Sequence, residues 1–314
     1  MKILVAGGAG FIANTLIKTL LKDDHEIYVL DNLSTGNYSN IAELIKLRKI
    51  KFYKHDISQP LPKKITKIKF DQIYNLASPA TPRYFETNPI EVIEVNVYGV
   101  HNLLKLALKC GARFLQTSTS EVYGSALQTP QKEDYWGNVN PNGPRSSYDE
   151  GKRCAESLVY SFKRIHNLDV RVVRIFNTYG PYMRQDDGRV VSNFIVQAIT
   201  GRDLTIYGDG EFTRSFCYVE DLVSGIIKLM NLEGDVDGPV NIGNDKEFTI
   251  QELAEMVLKL TGSKSKIMYL DKVKDDPPQR RPDLTKANNL LNYQPKIMLE
   301  EGLKKTIEYF KEVL

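Results

Sequence analysis

The chain has 314 residues, of which 42% are hydrophobic and 26% carry a charge, which is typical of a globular enzyme with one large α/β unit or two joined domains. Its net charge of only +3 gives no reason to expect nucleic acid or an anionic membrane as a partner. Three cysteines without metal-ligand spacing, and an amino-terminal apolar run too short for a signal peptide or membrane span, predict a reduced cytoplasmic protein without a metal.

The chain begins with the pattern of a strand, a glycine turn and a helix. The apolar run from Lys2 to Ala6 leads into Gly7, Gly10 and Ala13 in the spacing Gly-x-x-Gly-x-x-Ala. Glycines let the backbone approach a pyrophosphate, and the helix that follows offers N–H groups and the positive end of its dipole. A glycine turn that binds no nucleotide is the alternative. We predict a dinucleotide site with contacts from Gly7, Gly10, Phe11 and Ile12.

An acidic residue ends the second predicted strand. The segment from Glu26 to Asp31 closes with a carboxylate about twenty residues after the glycines, as the dinucleotide fingerprint requires. Asp31 can accept hydrogen bonds from both ribose hydroxyls of NAD and would repel the 2′-phosphate of NADP. Asn32 follows Asp31 directly, where an arginine would favour NADP. The sequence therefore predicts NAD as the cofactor, with Asp31 and Asn32 among its contacts.

Strands and helices alternate up to about residue 180. Lys51 to Asp56 and Phe70 to Ala77 have the pattern of the third and fourth strands, and Asn88 to Lys109 has that of a long helix. This alternation predicts an α/β fold with a parallel, doubly wound sheet that binds its ligand at the carboxyl ends of the strands. At those ends and inside the long helix we expect further cofactor contacts from Asp56, Ile57, Leu76, Ala77 and Asn96.

The next strand and the helix after it carry the candidate catalytic residues. The strand ends in Thr119, Ser120 and Glu121, and the helix carries Tyr148 and Lys152 four residues apart, on one face. A lysine ammonium beside a phenol favours the phenolate and lowers the pKa of the tyrosine, which suits a general base. An amphipathic surface pair is the alternative for the Tyr-x-x-x-Lys spacing alone. The glycine turn and the Thr-Ser-Glu strand end favour catalysis.

Beyond residue 180 the chain has shorter elements, more loop residues and a scattered set of arginines. We therefore predict two domains. Residues 1–180 would bind the dinucleotide, and residues 181–314 would form a smaller domain that holds an anionic substrate, with segments that return to the first domain. Within it, the doublets Asp275-Asp-Pro-Pro278 and Arg280-Arg-Pro282 predict an ordered loop.

Together these motifs resemble the extended short-chain dehydrogenase/reductase family, which has the Rossmann fold and acts on nucleotide sugars. Within it the chain looks most like the UDP-glucuronate decarboxylases. The resemblance covers nearly the whole chain and is densest in Thr117-Ser-Thr-Ser-Glu-Val-Tyr-Gly124, Tyr148-Asp-Glu-Gly-Lys-Arg153, Arg174-Ile-Phe-Asn-Thr-Tyr-Gly-Pro181, Asp187-Gly-Arg-Val-Val-Ser-Asn-Phe194 and Gln279-Arg-Arg-Pro-Asp283. These matches in order identify the family, whereas they do not settle the substrate.

The resemblance implies a reaction at the C4 hydroxyl of the sugar. Tyr148 would take the hydroxyl proton, Lys152 would lower the tyrosine pKa and hold the nicotinamide ribose, and Thr119 would orient the hydroxyl while a hydride passes to NAD. In the decarboxylases the C4 ketone lets the C5 carboxylate leave as CO₂, and the resulting enolate is reprotonated and reduced. Glu121 and Arg280 match the positions that handle the carboxylate and donate a proton.

The resemblance also implies where the nucleotide sugar binds. Its nucleotide-diphosphate contacts match Asn177, Val191, Asn193 and Arg214. Arg189 belongs to the arginines expected to hold an anionic substrate, as does Arg280. The base would lie among Asn193, Leu204 and Tyr207, and these residues could line a site for either uridine or guanosine.

Within the family, the triplet Thr119-Ser-Glu121 distinguishes decarboxylases from 4,6-dehydratases and 4-epimerases. Sugar 4,6-dehydratases usually carry an aspartate where this chain has Ser120, and 4-epimerases usually lack the glutamate. One departure from the decarboxylase pattern is Phe85, which replaces a tyrosine that helps to hold the sugar carboxylate. Either Tyr84 or Arg83 substitutes for that tyrosine, or the substrate has no carboxylate at that point.

Three functions follow from these features. The leading one is NAD-dependent decarboxylation of UDP-glucuronate to UDP-xylose. The second is C4 dehydrogenation or epimerisation of another nucleotide sugar, such as a GDP-heptose in polysaccharide or capsule biosynthesis. A non-catalytic NAD-binding module is a more distant third.

Two predicted helices have apolar positions that one face of a sheet would not cover. Val92 and Val95 lie on the first helix, and Leu158 and Val159 lie on the second, which also carries Tyr148. Relatives in the family pair the corresponding helices in a four-helix interface, which implies a homodimer. Packing of these positions on the sheet is the alternative.

Overall fold

A computed structural model describes residues 1–272 and 279–314 of the chain. The strands, in chain order, are β1 Lys2–Ala6, β2 Glu26–Asp31, β3 Ile50–Lys54, β4 Gln72–Asn75, β5 Arg113–Thr119, β6 Val170–Ile175, β7 Thr178–Tyr179, β8 Leu204–Tyr207, β9 Thr213–Ser215, β10 Cys217–Tyr218, β11 Val240–Ile242, β12 Glu247–Thr249, β13 Ile267–Leu270 and β14 Gln279–Arg280. The α-helices are α1 Phe11–Leu20, α2 Ser39–Lys46, α3 Lys63–Thr66, α4 Pro82–Thr87, α5 Pro89–Glu94, α6 Val100–Cys110, α7 Ser146–His166, α8 Val190–Ile199, α9 Val219–Asn231, α10 Ile250–Thr261, α11 Thr285–Leu291 and α12 Leu299–Val313.

The main sheet has seven parallel strands in the order β11-β6-β5-β4-β1-β2-β3. The chain winds outward from β1 in one direction through β2 and β3, and then returns to continue on the other side through β4, β5 and β6. A crevice forms between the carboxyl ends of β1 and β4, where the winding reverses. The predicted doubly wound α/β fold is confirmed.

The first strand, turn and helix show how the sequence builds this crevice. Residues 3–6 are fully buried because the sheet is covered on both faces. Gly7 has a φ of +76°, and a Cβ there would lie 2.6 Å from backbone atoms of Leu76 and Ala77, so only glycine fits. Helix α1 then buries Ala13, Leu16, Ile17 and Leu20 at helical spacing, and it packs against α2 and α9.

The long helix predicted from residue 88 to residue 109 is interrupted. Its parts are α5, a π-helical turn at Val95–Gly99 and α6. Helices α5 and α6 pack against α7, and Val92, Val95 and Val159 are buried in those contacts. These three positions are therefore covered within the chain. Val95 and Val159 belong to the core on the main sheet, as the alternative expected, and Val92 packs with Phe85 and Tyr148. Leu158 is half-buried.

The second half of the chain contributes both to the main sheet and to smaller sheets. Strand β11 pairs with β6 and helix α9 packs on α1, β5 and β6, so these segments return to the main sheet. Strands β8 and β13 form a parallel pair, and β9 lies between β12 and β14. The division at residue 180 remains our prediction. Of the predicted ordered loop, Asp275-Asp-Pro-Pro278 lies outside the described residues.

Within residues 1–272 and 279–314, no helix is both long and apolar enough to cross a lipid bilayer. The same part of the chain contains no group of three or more His, Cys, Asp or Glu residues arranged to hold a metal ion. All three cysteines are free thiols.

Candidate active site

A cavity of about 600 Å³ lies at the carboxyl ends of the strands around the crevice. Its walls come from both halves of the chain, with Gly7 and Gly10 in one wall, Thr119 and Tyr148 between the walls, and Arg214 from the second half. In open parallel sheets this edge, at the reversal of winding, is where ligands bind. The cavity therefore gathers the dinucleotide, catalytic and substrate residues proposed from the sequence into one space.

The glycine turn forms one wall of this cavity. Gly7, Gly10, Phe11 and Ile12 all line it. Helix α1 starts after Gly10 without a side-chain cap and without an acidic residue in its first turn. The N–H groups and the positive end of the helix dipole are therefore available to an anion. These features fit the pyrophosphate of a dinucleotide.

A smaller cavity of about 100 Å³ adjoins the turn on the side of β2 and β3. Asp31 ties together the glycine turn and the segment after β2, because its carboxylate accepts hydrogen bonds from the backbone N–H groups of Ala9 at 2.9 Å and Leu33 at 2.7 Å. Burial raises the pKa of Asp31, and these two N–H groups oppose that rise. The predicted cofactor residues that line this cavity are Gly7, Gly10, Asp31, Asn32, Asp56, Ile57, Leu76 and Ala77.

Asn96 occupies neither cavity. It lies fully buried in the π-helical turn, where its Nδ2 donates to the backbone oxygen of Val92 at 2.8 Å. Its side chain faces Gly151 of α7, where a Cβ would approach Asn96 to 3.3 Å. The position does not support the predicted direct contact between Asn96 and the cofactor, because the amide is used in packing two helices.

The predicted catalytic group comes together at the end of β5 and the start of α7. Thr119, Tyr148 and Lys152 all line the larger cavity. Lys152 Nζ donates to the backbone oxygen of Thr117 at 3.0 Å and lies 5.8 Å from the centroid of the Tyr148 ring. The spacing of four on one helix and the neighbouring strand end therefore bring a phenol, an amine and a hydroxyl into one site.

The pKa values of the pair differ from the sequence-based expectation. Burial raises the pKa of Tyr148, and its hydrogen bond with Thr119 opposes the rise without cancelling it. Burial lowers the pKa of Lys152 to about 7, although the nearby carboxylate of Glu156 opposes the fall. The expected lowering of the tyrosine pKa is therefore wrong for the protein's own groups, because desolvation of the phenol outweighs the influence of its neighbours.

Glu121 stands beside this group and links three segments of the chain. Its Oε2 accepts hydrogen bonds from Arg145 Nη2 at 2.5 Å and from Arg280 Nη2 at 2.6 Å. Burial opposes its ionisation, yet the guanidinium groups of Arg280 and Arg145 hold the pKa of Glu121 below its usual value. Ser120 precedes Glu121 and also lines the cavity. The predicted Ser120, Glu121 and Arg280 are therefore neighbours in space.

Asp149, next to Tyr148 on α7, was not predicted as a site residue. It is buried, and its Oδ1 has no hydrogen-bond partner among the described residues. Burial, and then the charge of Glu121, raise the pKa of Asp149 to about 7, while Arg145 and Arg280 oppose that rise. Asp149 thus lies next to the catalytic group, although it lines neither cavity.

The second half of the chain supplies the opposite wall of the cavity. Arg189 forms an ion pair with Asp187 at 2.5 Å and lies over the ring of Phe11, with its guanidinium carbon 5.1 Å from the ring centroid. Arg280 and Arg214 are paired positions of β14 and β9. The predicted substrate residues that line this wall are Asn177, Arg189, Val191, Asn193, Tyr207, Arg214 and Arg280.

Leu204 does not reach the cavity, and its predicted contact with the base is not supported. It is fully buried in the apolar core, and the cavity is lined instead by Thr205, Ile206 and Tyr207 of the same strand. Sequence reasoning also missed Arg145, which binds Glu121. Its position three residues before Tyr148 at the start of a helix was the available signal.

The alternatives for the missing tyrosine at position 85 can be compared directly. Tyr84 lines the smaller cavity, and its hydroxyl donates to Glu91 Oε2 at 2.7 Å, so it does not substitute. Arg83 and Phe85 both line the larger cavity, where Arg83 is exposed and Phe85 is 1% exposed. Of the two proposed substitutes, Arg83 is therefore the one whose side chain has the charge and the position to meet a carboxylate.

Comparisons with known proteins agree with this geometry. A curated relative from Arabidopsis thaliana, UDP-glucuronic acid decarboxylase 5, is 50% identical over 312 residues, which cover 99% of this chain and 89% of the relative. The solved UDP-glucose 4-epimerase of Thermotoga maritima, in complex with UDP-glucose, superposes with a TM-score of 0.91 at 30% identity and covers 100% of this chain and 99% of its own.

A second solved structure is the UDP-glucuronic acid 4-epimerase of Bacillus cereus with UDP-glucuronic acid and NAD. It has a TM-score of 0.90 and 27% identity, and the match covers 100% of both chains. The family model described as GDP-mannose 4,6 dehydratase matches residues 4–306. The chain therefore belongs to this family of extended short-chain dehydrogenases/reductases that act on nucleotide sugars.

Proposed function

We propose that the protein is an NAD-dependent decarboxylase that converts UDP-glucuronate to UDP-xylose and CO₂. The observation that carries this proposal is 50% identity over 99% of the chain with a UDP-glucuronic acid decarboxylase. It is supported by a buried glutamate that binds two arginines beside a tyrosine, lysine and threonine group. Arginine is well suited to bind a carboxylate because its planar N–H groups match the two oxygens.

The residues around both cavities fit NAD. When bound, NAD accepts the hydride from C4 of the sugar and later returns it, so the overall reaction is redox-neutral. The pyrophosphate would lie on the turn formed by Gly7 and Gly10, and Asp31 would accept hydrogen bonds from the ribose hydroxyls. Lys152 would hold the nicotinamide ribose. In the two-domain proposal, residues 1–180 provide these contacts and residues 181–314 provide most of the contacts to the nucleotide sugar.

The first chemical step is oxidation at C4. Tyr148 as a phenolate would accept the proton of the C4 hydroxyl, and Thr119 would orient that hydroxyl. An ammonium at Lys152 would oppose the rise in the Tyr148 pKa that burial causes. The wall that holds Arg189 and Arg214 would bind the two phosphates of the substrate. These roles are supported by the shared cavity of the five residues.

The second step breaks the bond between C5 and the carboxylate carbon. In the 4-keto sugar this carboxylate is β to the ketone, so CO₂ leaves and its bonding electrons form an enolate across C4 and C5. A proton is then added to C5, and the returning hydride with a proton from Tyr148 restores the C4 hydroxyl. Glu121, Arg280 and Ser120 would position the carboxylate and supply the proton to C5.

We also propose a cytoplasmic homodimer. The free thiols at all three cysteines support a reducing compartment. An interface is supported by exposed apolar side chains on the mutually packed α5, π-helical turn, α6 and α7, namely Ile90, Ile93, Tyr98, Leu108 and Ile165.

A second candidate is C4 epimerisation of a UDP-sugar, favoured by the TM-score of 0.90 with a UDP-glucuronic acid 4-epimerase. One experiment separates the candidates. The protein is incubated with UDP-glucuronate and NAD, and the products are followed by mass spectrometry. Decarboxylation predicts UDP-xylose and CO₂, and epimerisation predicts UDP-galacturonate of unchanged mass. If neither forms, while a GDP-, dTDP- or CDP-sugar without a carboxylate produces NADH absorbance, the decarboxylase proposal is wrong.

A further inference from the structure

Phe85 lies against the ring of Tyr148. Their ring centroids are 5.4 Å apart and their planes differ by 16°, the geometry of a stacked pair. Together with Val92 they form a small apolar cluster, separate from the large cores of the protein. Phe85 is 1% exposed and Tyr148 is 6% exposed. The phenol ring therefore packs against the ring of Phe85, and the Lys152 ammonium lies 5.8 Å from the phenol centroid.

Phe85 is itself held in place by a charged neighbour. The guanidinium carbon of Arg145 lies 5.4 Å from the centroid of the Phe85 ring, within the range of a cation–π contact. The same arginine donates to Glu121 at 2.5 Å, and Glu121 accepts from Arg280 at 2.6 Å. A continuous series of contacts thus joins the glutamate that binds two arginines to the ring of Tyr148.

We propose that Phe85 is a positioning residue, which fixes the ring plane of Tyr148 for proton transfer and keeps water from the phenol. The aromatic ring of residue 85 is sufficient for this role, and a hydroxyl at that position is not required. Arg145 holds the Phe85 ring against Tyr148. The contribution to catalysis rests on the proposed C4 oxidation, whereas the effect on the Tyr148 ring does not depend on the identity of the substrate.

The geometry gives the reason for such a role. Proton transfer requires the phenol oxygen within hydrogen-bond reach of the substrate hydroxyl, and small displacements of a reacting group reduce rates strongly. A tyrosine ring turns about two side-chain bonds. A flat partner stacked on one face restricts that rotation, whereas an aliphatic side chain of similar size leaves the ring plane less defined.

The test compares Phe85→Leu, which removes the flat ring, with Phe85→Tyr, which keeps it. The matched control is Phe310→Leu, the same change at a fully buried position of α12. Ring proton signals of Tyr148 are recorded by NMR in the full-length protein with NAD, and are assigned by their loss in Tyr148→Phe. The values of kcat and KM for UDP-glucuronate are measured across pH.

Phe85→Leu is expected to shift the Tyr148 ring signals downfield, because the ring current of Phe85 is lost. We expect kcat to fall about 10- to 100-fold with little change in KM, and the acid limb of the kcat profile to move to lower pH, since the phenol becomes better hydrated. Phe85→Tyr should retain the ring signals and the pH profile. Phe310→Leu should lower the melting temperature and leave the Tyr148 ring signals and the pH profile unchanged.

Three results would overturn the proposal. The first is unchanged Tyr148 signals and kcat in Phe85→Leu. The second is a loss confined to KM, which would make Phe85 a substrate contact. The third is an equal loss of kcat in Phe310→Leu, which would show a general effect of stability. If the unmodified protein does not turn over UDP-glucuronate, the proposed function fails, while the NMR comparison still decides whether Phe85 fixes the Tyr148 ring.

Discussion

Arg280 donates a hydrogen bond of 2.6 Å to Glu121, a residue 159 positions earlier in the chain. Both side chains are buried, and the bond joins β14 of the second half to the 3-10 turn Ser120–Tyr123, which follows β5 of the main sheet. Ions held in this way are costly to leave unpaired, because neither water nor another charge replaces the lost partner. The pair therefore serves stability as well as the proposed handling of a carboxylate.

Glu121→Gln is expected to lower the rate of CO₂ release from UDP-glucuronate about 100-fold or more, and to lower the free energy of unfolding by about 1–3 kcal/mol. The reason is that glutamine cannot balance the charge of Arg145 and Arg280. Headspace mass spectrometry and chemical denaturation measure the two effects. Glu150→Gln, a half-buried residue on α7, is the control. Full CO₂ release by Glu121→Gln would contradict the proposed role.

Tyr148→Phe should reduce the formation of UDP-xylose and CO₂ from UDP-glucuronate, followed by mass spectrometry, by about 10²–10⁴-fold, because it removes the group that accepts the hydroxyl proton. NAD binding, measured by calorimetry, should stay within about threefold of the unmodified protein, since the aromatic ring remains. A rival view, in which the protein binds NAD without catalysis, predicts neither CO₂ release nor any new nucleotide sugar from UDP-glucuronate with either protein.

Asp31→Ala should weaken NAD binding and narrow the preference for NAD over NADP. Asp31 is placed to accept from the ribose hydroxyls of NAD, and its carboxylate would repel a 2′-phosphate. Affinities for both cofactors by fluorescence titration check this. Equal affinity of the unmodified protein for NAD and NADP would rule out the discrimination assigned to Asp31.

The sequence was sufficient to predict the parallel sheet and the residues grouped around the glycine turn. Strands β1 and β2 have the bounds expected from it, because short apolar runs between a glycine turn and an acidic residue are distinctive. Glu121 and Arg280 were proposed as active-site residues from their motifs, but their mutual hydrogen bond depends on the pairing of β14 with β9. Such pairing has no local signal in the sequence.

The differences between these expectations and the structure have a common cause in packing. Both Asn96 and Leu204 were expected to contact a ligand. The Asn96 amide instead donates to the backbone of Val92, and Leu204 is buried in the apolar core. The raised pKa of Tyr148 was also missed, because the spacing to Lys152 reports proximity and does not report how completely both groups are removed from water. The stacking of Phe85 on Tyr148 joins residues that are distant in sequence.

The proposed dimer predicts a mass of twice 35.7 kDa by light scattering at micromolar concentration. Tyr98→Glu should produce monomers, because a carboxylate would be placed in the interface formed by the exposed apolar residues of α5, α6 and α7. Leu127→Glu is the control, since Leu127 is 82% exposed and lies outside those helices. A monomeric unmodified protein would refute the dimer.

Asp149 predicts a specific dependence of stability on pH. Its pKa is raised from 3.8 to about 7 by burial and by Glu121, so the folded state holds a proton that the unfolded state releases between these values. Its contribution to stability is therefore fully present below about pH 4 and is lost as the pH rises to about 7. Asn cannot ionise, so Asp149→Asn should gain stability relative to the unmodified protein as the pH rises.

The measurement is chemical denaturation of both proteins at pH 5 and pH 8. The difference in unfolding free energy, variant minus unmodified protein, should increase by on the order of 2 kcal/mol between these pH values. Asp24→Asn, a change at an exposed carboxyl group, should leave the corresponding difference nearly constant. A constant difference for Asp149→Asn as well would mean that Asp149 is ionised throughout this range, with its charge balanced by Arg145 and Arg280.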